Sequence, residues 1–181
     1  LFTDPVLWNG PQRLLGEEIR VFMNDSTIDC AHIISQALTV EQKDSVYCNQ
    51  MAGKEMKAYF IEGEMRKADV IGNVLVIYLM EESDGSRIGL NNSETSLLNI
   101  YLRDRQIKRM VMSPKSNGTL YPMDQIPPDK MRLPNFVWFD YIRPLNKDDI
   151  FDWRPKRADA MLRKSTRKAV NVPSRQLVNP K

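Results

Sequence analysis

Histidine, cysteine and glycine are scarce in this chain, and proline is missing from more than half of it. His32 is the one histidine among 181 residues. No GxSxG elbow, P-loop or GxGxxG stretch accompanies it, so nucleophile–histidine hydrolysis and nucleotide binding have no support in the sequence. The two cysteines, Cys30 and Cys48, fit neither a CxxC redox pair nor a zinc site; two buried thiols or a single bridge remain open. No apolar run reaches the ~18 residues that span a bilayer, and the longest, Val70–Met80, is interrupted by Gly72-Asn73. The chain starts at Leu1 without a basic start or an apolar signal core. An export signal, if the protein is exported, is therefore expected upstream. Of the 11 prolines, none lies between Gln12 and Ser113. That is expected where nearly every backbone N–H enters a sheet ladder.

What is present is a repeat. Gly16–Ser35 aligns without a gap on Gly53–Gly72 at a shift of 37, and a further shift of 42 brings in Thr95–Pro114. A period near 40 residues points to supersecondary units stacked on one core. Each unit alternates apolar and polar residues, as in Ile19, Val21 and Met23, or Leu98, Ile100 and Leu102. A polar turn follows (Asp25, Glu62 or Asp104), and a second strand starts at Ile28, Met65 or Ile107. Each unit therefore reads as a β-hairpin. In the second strand the apolar spacing slips once, predicting a β-bulge at the same place in every unit. Ala37–Glu41, Val46–Asn49, Asn73–Met80 and Arg87–Asn91 read as further strands between the hairpins. After Ser113, prolines and aromatics crowd together, which predicts an irregular segment over residues 114–152 capping the last repeat edge. Residues 153–181 carry nine Lys/Arg against Asp159, for +8; the remaining 17 basic and 22 acidic residues give the body −5. The alkaline balance thus belongs to a flexible tail, and nothing marks a nucleic-acid surface on the fold. The tail could meet lipid phosphates or only solubilise the end. The fold expected is all-β: repeated antiparallel hairpins over residues 1–113, stacked as an open, twisted β-jelly-roll.

Candidate catalytic groups do not cluster. Asp148 and Asp149 are adjacent and would point to opposite sides of a strand; His32 falls in a variable, solvent-facing column. No catalytic residue, metal ligand or cofactor is assigned, and the chain reads as a non-enzyme. The Phe22/Tyr59/Tyr101 column could stack sugars or acyl chains, but cross-strand packing on a half-exposed face is the commoner reason for such a ladder. The inward column is the candidate binding surface: Ile19, Val21, Met23, Ile28, Ile33, Met56, Phe60, Met65, Val70, Val74, Val76, Tyr78, Leu98, Ile100, Leu102, Ile107 and Met112. These residues form either a filled core or an apolar groove in which methionines adapt to irregular ligands. A slot of several hundred Å³ would favour the groove, and close packing the core.

Several stretches resemble the OstA-like proteins of lipopolysaccharide transport, and more narrowly the Bacteroidetes-type OstA-like family. They are Asp4-Pro5-Val6-Leu7-Trp8, Asn49-Gln50-Met51-Ala52-Gly53-Lys54, Ala68-Asp69-Val70-Ile71-Gly72-Asn73-Val74 with Ile77-Tyr78, and Ile88-Gly89-Leu90-Asn91. Downstream come Leu120-Tyr121-Pro122, Gln125-Ile126-Pro127, Phe136-Val137-Trp138, Arg143-Pro144 and Asp149-Ile150-Phe151. The resemblance covers residues 4–151 and implies a periplasmic, non-catalytic module, free or associated with the outer membrane. Such a module would bind lipopolysaccharide or a similar amphipathic glycolipid, holding lipid A acyl chains in the apolar interior between the inner and outer membranes. It implies edge-to-edge strand pairing with other OstA-like envelope proteins, no transmembrane segment and no nucleic acid. The Pro/aromatic segment and basic tail depart from the family pattern and imply a terminal unit. The alternative expectation is an envelope scaffold whose open sheet edges recruit partner strands.

Overall fold

The computed structural model describes residues 1, 4–9, 11–104, 106–146, 148–149 and 154. Its architecture is a single open antiparallel sheet, not closed into a barrel, with no helix of seven or more residues among those described. The strands are β1 (Val6–Asn9), β2 (Gln12–Leu15), β3 (Glu18–Asn24), β4 (Thr27–Gln42), β5 (Cys48–Ile61), β6 (Glu64–Glu81), β7 (Arg87–Arg103) and β8 (Gln106–Pro122). They lie side by side in the order β1-β2-β4-β5-β6-β7-β8, while β3 pairs with β4 alongside β2's place.

The three repeats are the hairpins β3–β4, β5–β6 and β7–β8. Their turn residues Asp25, Glu62 and Asp104 all take positive φ, at 50°, 54° and 54°. Beyond each turn the expected bulge is present in the same column. Met23 pairs Ile28 while Phe22 pairs Cys30, leaving Asp29 extra; Arg66 and Lys108 are the extra residues in the next two hairpins. Strict alternation thus resumes on the same face after the bulge, so Ile33, Val70 and Met112 share the face of Ile19, Met56 and Leu98.

A second line of bulges crosses the sheet at the repeat boundaries. Ser35-Gln36 stand opposite Lys54 alone, and Gly72-Asn73 and Pro114-Lys115 each stand opposite Ser96. Ser35, Gln36, Gly72 and Asn73 are in the left-handed region, with φ of 57°, 51°, 80° and 49°. Two residues against one bends a strand, and bulges in register bend the whole sheet. Close approach also constrains this line, because a Cβ on Gly53 would sit 2.7 Å from Val70 Cγ1. The repeats therefore form one wall, and the segments between them form a second wall at a corner to the first. Ala37–Glu41, Asn73–Met80 and Arg87–Asn91 are not separate strands, as the sequence suggested, but parts of β4, β6 and β7. Pro114–Pro122 likewise belongs to β8, where an edge position lets proline forgo its missing N–H. The irregular segment begins at Met123, nine residues later than composition indicated.

Two apolar layers result. The inner layer joins both walls across the corner: Ile19, Ile33, Met56, Val70 and Leu98 from the first meet Ala37, Val74 and Val76 from the second. The outer layer lies on the far face of the second wall, where Leu15, Leu38, Val40, Ile77, Leu79 and Leu90 are covered by Leu133, Val137 and Phe139. Fully burying a side chain of this size contributes about 1.5–3 kcal/mol, so each layer is a substantial share of stability. The Pro/aromatic segment is therefore a cover for a sheet face rather than for the last repeat edge. Two buried polar side chains fasten it. Gln50, fully buried, accepts from Leu133 N at 2.9 Å and donates to Met131 O at 2.8 Å. Arg13, 2% exposed, bonds Asp140 at 2.7 Å and lies 3.7 Å over the Trp138 ring.

Candidate functional site

The inward column separates by depth. Ile19, Ile33, Met56, Val70, Val74, Val76, Leu98 and Ile100 are buried, none more than 4% exposed. This part of the interior is filled. Met65, Tyr78, Leu102, Ile107 and Met112 are partly buried against it, and Phe60 is half-buried. Val21, Met23 and Ile28, by contrast, are 41%, 63% and 39% exposed, so they do not line an enclosed interior. Two causes combine. Met23 and Ile28 sit at a hairpin tip, and all three belong to the edge hairpin β3–β4, since Ala58 and Ile100 in the column of Val21 are only 2% and 4% exposed.

The hairpin tips consequently form an apolar mouth. On the inner face the cross-strand pairs Met23↔Ile28, Phe60↔Met65 and Leu102↔Ile107 lie side by side at the ends of the three hairpins. A cleft of about 220 Å³ opens at the tips of the first two hairpins, where Ile28, Phe60 and Ile61 meet the polar turn residues Asn24, Thr27, Asp29 and Glu62. None of the six side chains is fully buried, although the same residue types close to the corner are. Methionine is prominent through this layer, with Met51, Met56, Met65, Met110 and Met112 all contributing.

A larger cleft, about 1020 Å³, lies on the opposite side of the second wall, between the corner and residues 129–135. None of the seventeen inward residues lines it. Asn92 and Glu94 of β7 and Asn117, Thr119 and Tyr121 of β8 belong to one side, and Lys130, Arg132 and Asn135 to the covering segment. Asn92 Nδ2 donates to Lys130 O at 3.3 Å and closes one end. The signal was legible as alternating polar residues on the outer face of β7 and β8. A polar strand face reads by default as solvated, and nothing local revealed a covering segment nearby.

The remaining candidates have structural roles. His32 Nε2 lies 3.2 Å from Glu55 Oε2 on the outer face of the first wall. The Phe22, Tyr59 and Tyr101 rings are 51%, 36% and 40% exposed on that face. Lys67 lies 5.3 Å from the Tyr59 ring and Arg109 5.9 Å from the Tyr101 ring, as in an ordinary cross-strand ladder. Asp149 accepts from Leu145 N at 2.8 Å and from Asn146 Nδ2 at 3.1 Å, and the backbone bond holds its carboxyl below the usual range. That is a turn residue's chemistry. Cys30 and Cys48 are both free, each thiol pushed up chiefly by burial. Among the described residues no group of three His, Cys, Asp or Glu could hold a metal, and no helix is long and apolar enough to cross a membrane. The basic tail, Arg154 apart, lies outside the described residues. No family profile, curated protein or solved structure matches the chain.

Proposed function

We propose that this protein binds the acyl chains of an amphipathic glycolipid of the lipopolysaccharide type at the mouth of its inner layer, and carries it in the periplasm between the two membranes. One observation carries the reading: the inward face stays apolar to the hairpin tips, where Val21, Met23 and Ile28 are exposed. A face that only packed a core would gain nothing from apolar residues beyond the reach of its second wall. Contiguous exposed apolar surface on a folded protein marks a contact site. Methionine at Met65, Met110 and Met112 gives the adjoining surface the adaptability that irregular chains require. Because the corner half is filled, chains would lie across the tips of the hairpins instead of threading the whole length. The resemblance of residues 4–151 to OstA-like proteins supports the same ligand class.

Photo-crosslinking in cells from positions 23, 60 and 102, read for a lipopolysaccharide adduct, tests this reading. An adduct from these positions and none from the outer-face position 59 is the expected result. Folded variants that yield no adduct at any of the three would refute it. The scaffold reading has its own observation: β3 beyond Ile19 and β8 each pair with one strand only, and Ile19 exchanges both backbone hydrogen bonds with Leu1 at 2.9 and 2.8 Å. An added strand has a ready register on the β3 edge.

A further inference from the structure

The 1020 Å³ cleft lies on the other face of the sheet from the mouth and carries many more hydrogen-bonding groups in its lining. Its formal charges cancel: Glu17, Glu94 and Asp129 face Lys54, Lys130 and Arg132 around the lining. Several are already spent on neighbours, since Lys130 Nζ pairs with Asp129 at 3.1 Å and Glu17 accepts from Gln36 Nε2 at 2.7 Å. The working surface therefore mixes amide and hydroxyl groups (Asn92, Asn117, Thr119, Tyr121 and Asn135, with Gln36 at the corner end) with the apolar side chains of Leu75, Leu133 and Pro134. Two amide oxygens of this lining, Gln36 Oε1 and Asn135 Oδ1, are buried without any donor. Such oxygens are costly to leave unpaired, and a ligand's donor reaches them once the Gln36 and Asn135 side chains turn toward the cleft.

These features select a ligand class. A phosphate or carboxylate would meet three acidic groups and no net positive field. An acyl chain would strip water from amides and return no hydrogen bond. A hydroxyl donates and accepts at once, and an amide side chain offers both complements. Tyr121 and Pro134 add apolar patches suited to the C–H faces of a sugar ring. The volume suits a small-molecule ligand of several rings. We infer that this cleft is a carbohydrate-binding site that takes a short stretch of a neutral oligosaccharide, held between the outer face of β7–β8 and the segment at residues 129–135. The inference does not rest on the lipid reading, because the two surfaces share no residue.

The test is an array of lipid-free oligosaccharides of roughly three to six units, neutral and acidic, a length set by the cleft volume. Hits are followed by titration of the full chain observed by amide NMR. The expected result is saturable binding of a neutral member, with shifts at Asn92, Asn117 and Tyr121 and none at Met23 or Ile28. The Asn117→Ala/Thr119→Ala variant alters two exposed side chains on an edge strand, so its fold should survive, as its spectrum would show. It should weaken binding by about tenfold or more, the loss expected for one or two ligand hydrogen bonds. Val21→Asp, at the mouth, should leave the same titration unchanged. No binding by any neutral member overturns the inference, as does preference for acidic sugars. Because no probe carries an acyl chain, either outcome leaves the lipid-adduct result to be judged separately.

Discussion

Replacing Gln50 by leucine should release the covering segment before it unfolds the sheet. Among the described residues, Gln50 is the one fully buried polar side chain that bonds this segment's backbone on both its donor and acceptor sides, through Leu133 N–H at 2.9 Å and Met131 C=O at 2.8 Å. Leucine nearly conserves volume, so the cavity cost is small and the loss is electrostatic. Two backbone groups of the segment lose their partners, each at about 1–3 kcal/mol if they stay buried, for roughly 2–6 kcal/mol in all. The segment can avoid that cost by lifting so that water reaches both groups. Lifting exposes Leu133, Val137 and Phe139, which are 5%, 7% and 1% exposed when docked. Their reburial is worth roughly 4.5–9 kcal/mol, which the ordering entropy of the segment offsets in large part, so the lost bonds should raise the lifted population by orders of magnitude. Hydrogen exchange separates the cases: the Leu133 and Phe136 amides should exchange orders of magnitude faster in Gln50→Leu, while the Val70 and Leu98 amides keep their protection. Urea unfolding followed by strand signal should move much less than the exchange. Unchanged Leu133 exchange would refute the fastening role. A uniform acceleration across both walls would refute the separability of cover and sheet.

Three further outcomes follow from burial and charge. Asp140→Ala should destabilise more than Arg13→Met: the first strands a guanidinium 2% exposed, whereas the second leaves a carboxylate 50% exposed that water can solvate. Equal losses in denaturant titration would contradict that asymmetry. Ile100→Asp, at a site 4% exposed, should abolish folding as judged by circular dichroism, whereas Val21→Asp, at 41%, should fold and lose only lipid adducts. Asp44 accepts from the Tyr47 and Val46 amides at 2.7 Å each, bonds that hold its carboxyl below the ordinary range, with Arg87 adding to the effect. A depressed folded-state value stabilises above the unfolded value of about 3.9 and is lost as pH falls through the folded one. Asp44→Asn should therefore flatten the acid limb of the stability profile and leave its neutral-to-alkaline shape intact.

Hairpins and their inward face were legible because period-two alternation is a local property, and the slip at Asp29, Arg66 and Lys108 showed as a break in that period. The corner was only half legible. Gly72-Asn73 advertises a left-handed bend, but Ser35-Gln36 carries the same geometry with residues that look ordinary, since the neighbouring strands impose it. Strand lengths were misjudged for the same reason: a bulge inside a strand looks in sequence like a loop between two. Depth along the inward face was not legible, because whether Val21 is covered depends on its hairpin lying at the sheet's edge, while Ala58 and Ile100 in the same column are buried. Gln50 and Arg13 were invisible as core residues because their partners lie 81 to 127 positions away. The polar cleft was missed because a face of Asn and Thr looks solvated until residues 129–135 are placed beside it.

Strand order has a consequence for how the molecule assembles. From β4 onward every neighbour in the sheet is also the next strand in sequence, so each pairing step closes only a short loop. Closure entropy grows with loop length, and a meander accumulates it in small increments. The covering segment is different. Its fastenings to Arg13 and Gln50 join residues far apart in the chain and gain nothing until the second wall exists to receive them. Folding should therefore zip hairpin by hairpin and dock the cover last. Until then one face of the second wall is an open apolar surface, and a chaperone or a second chain would find it there.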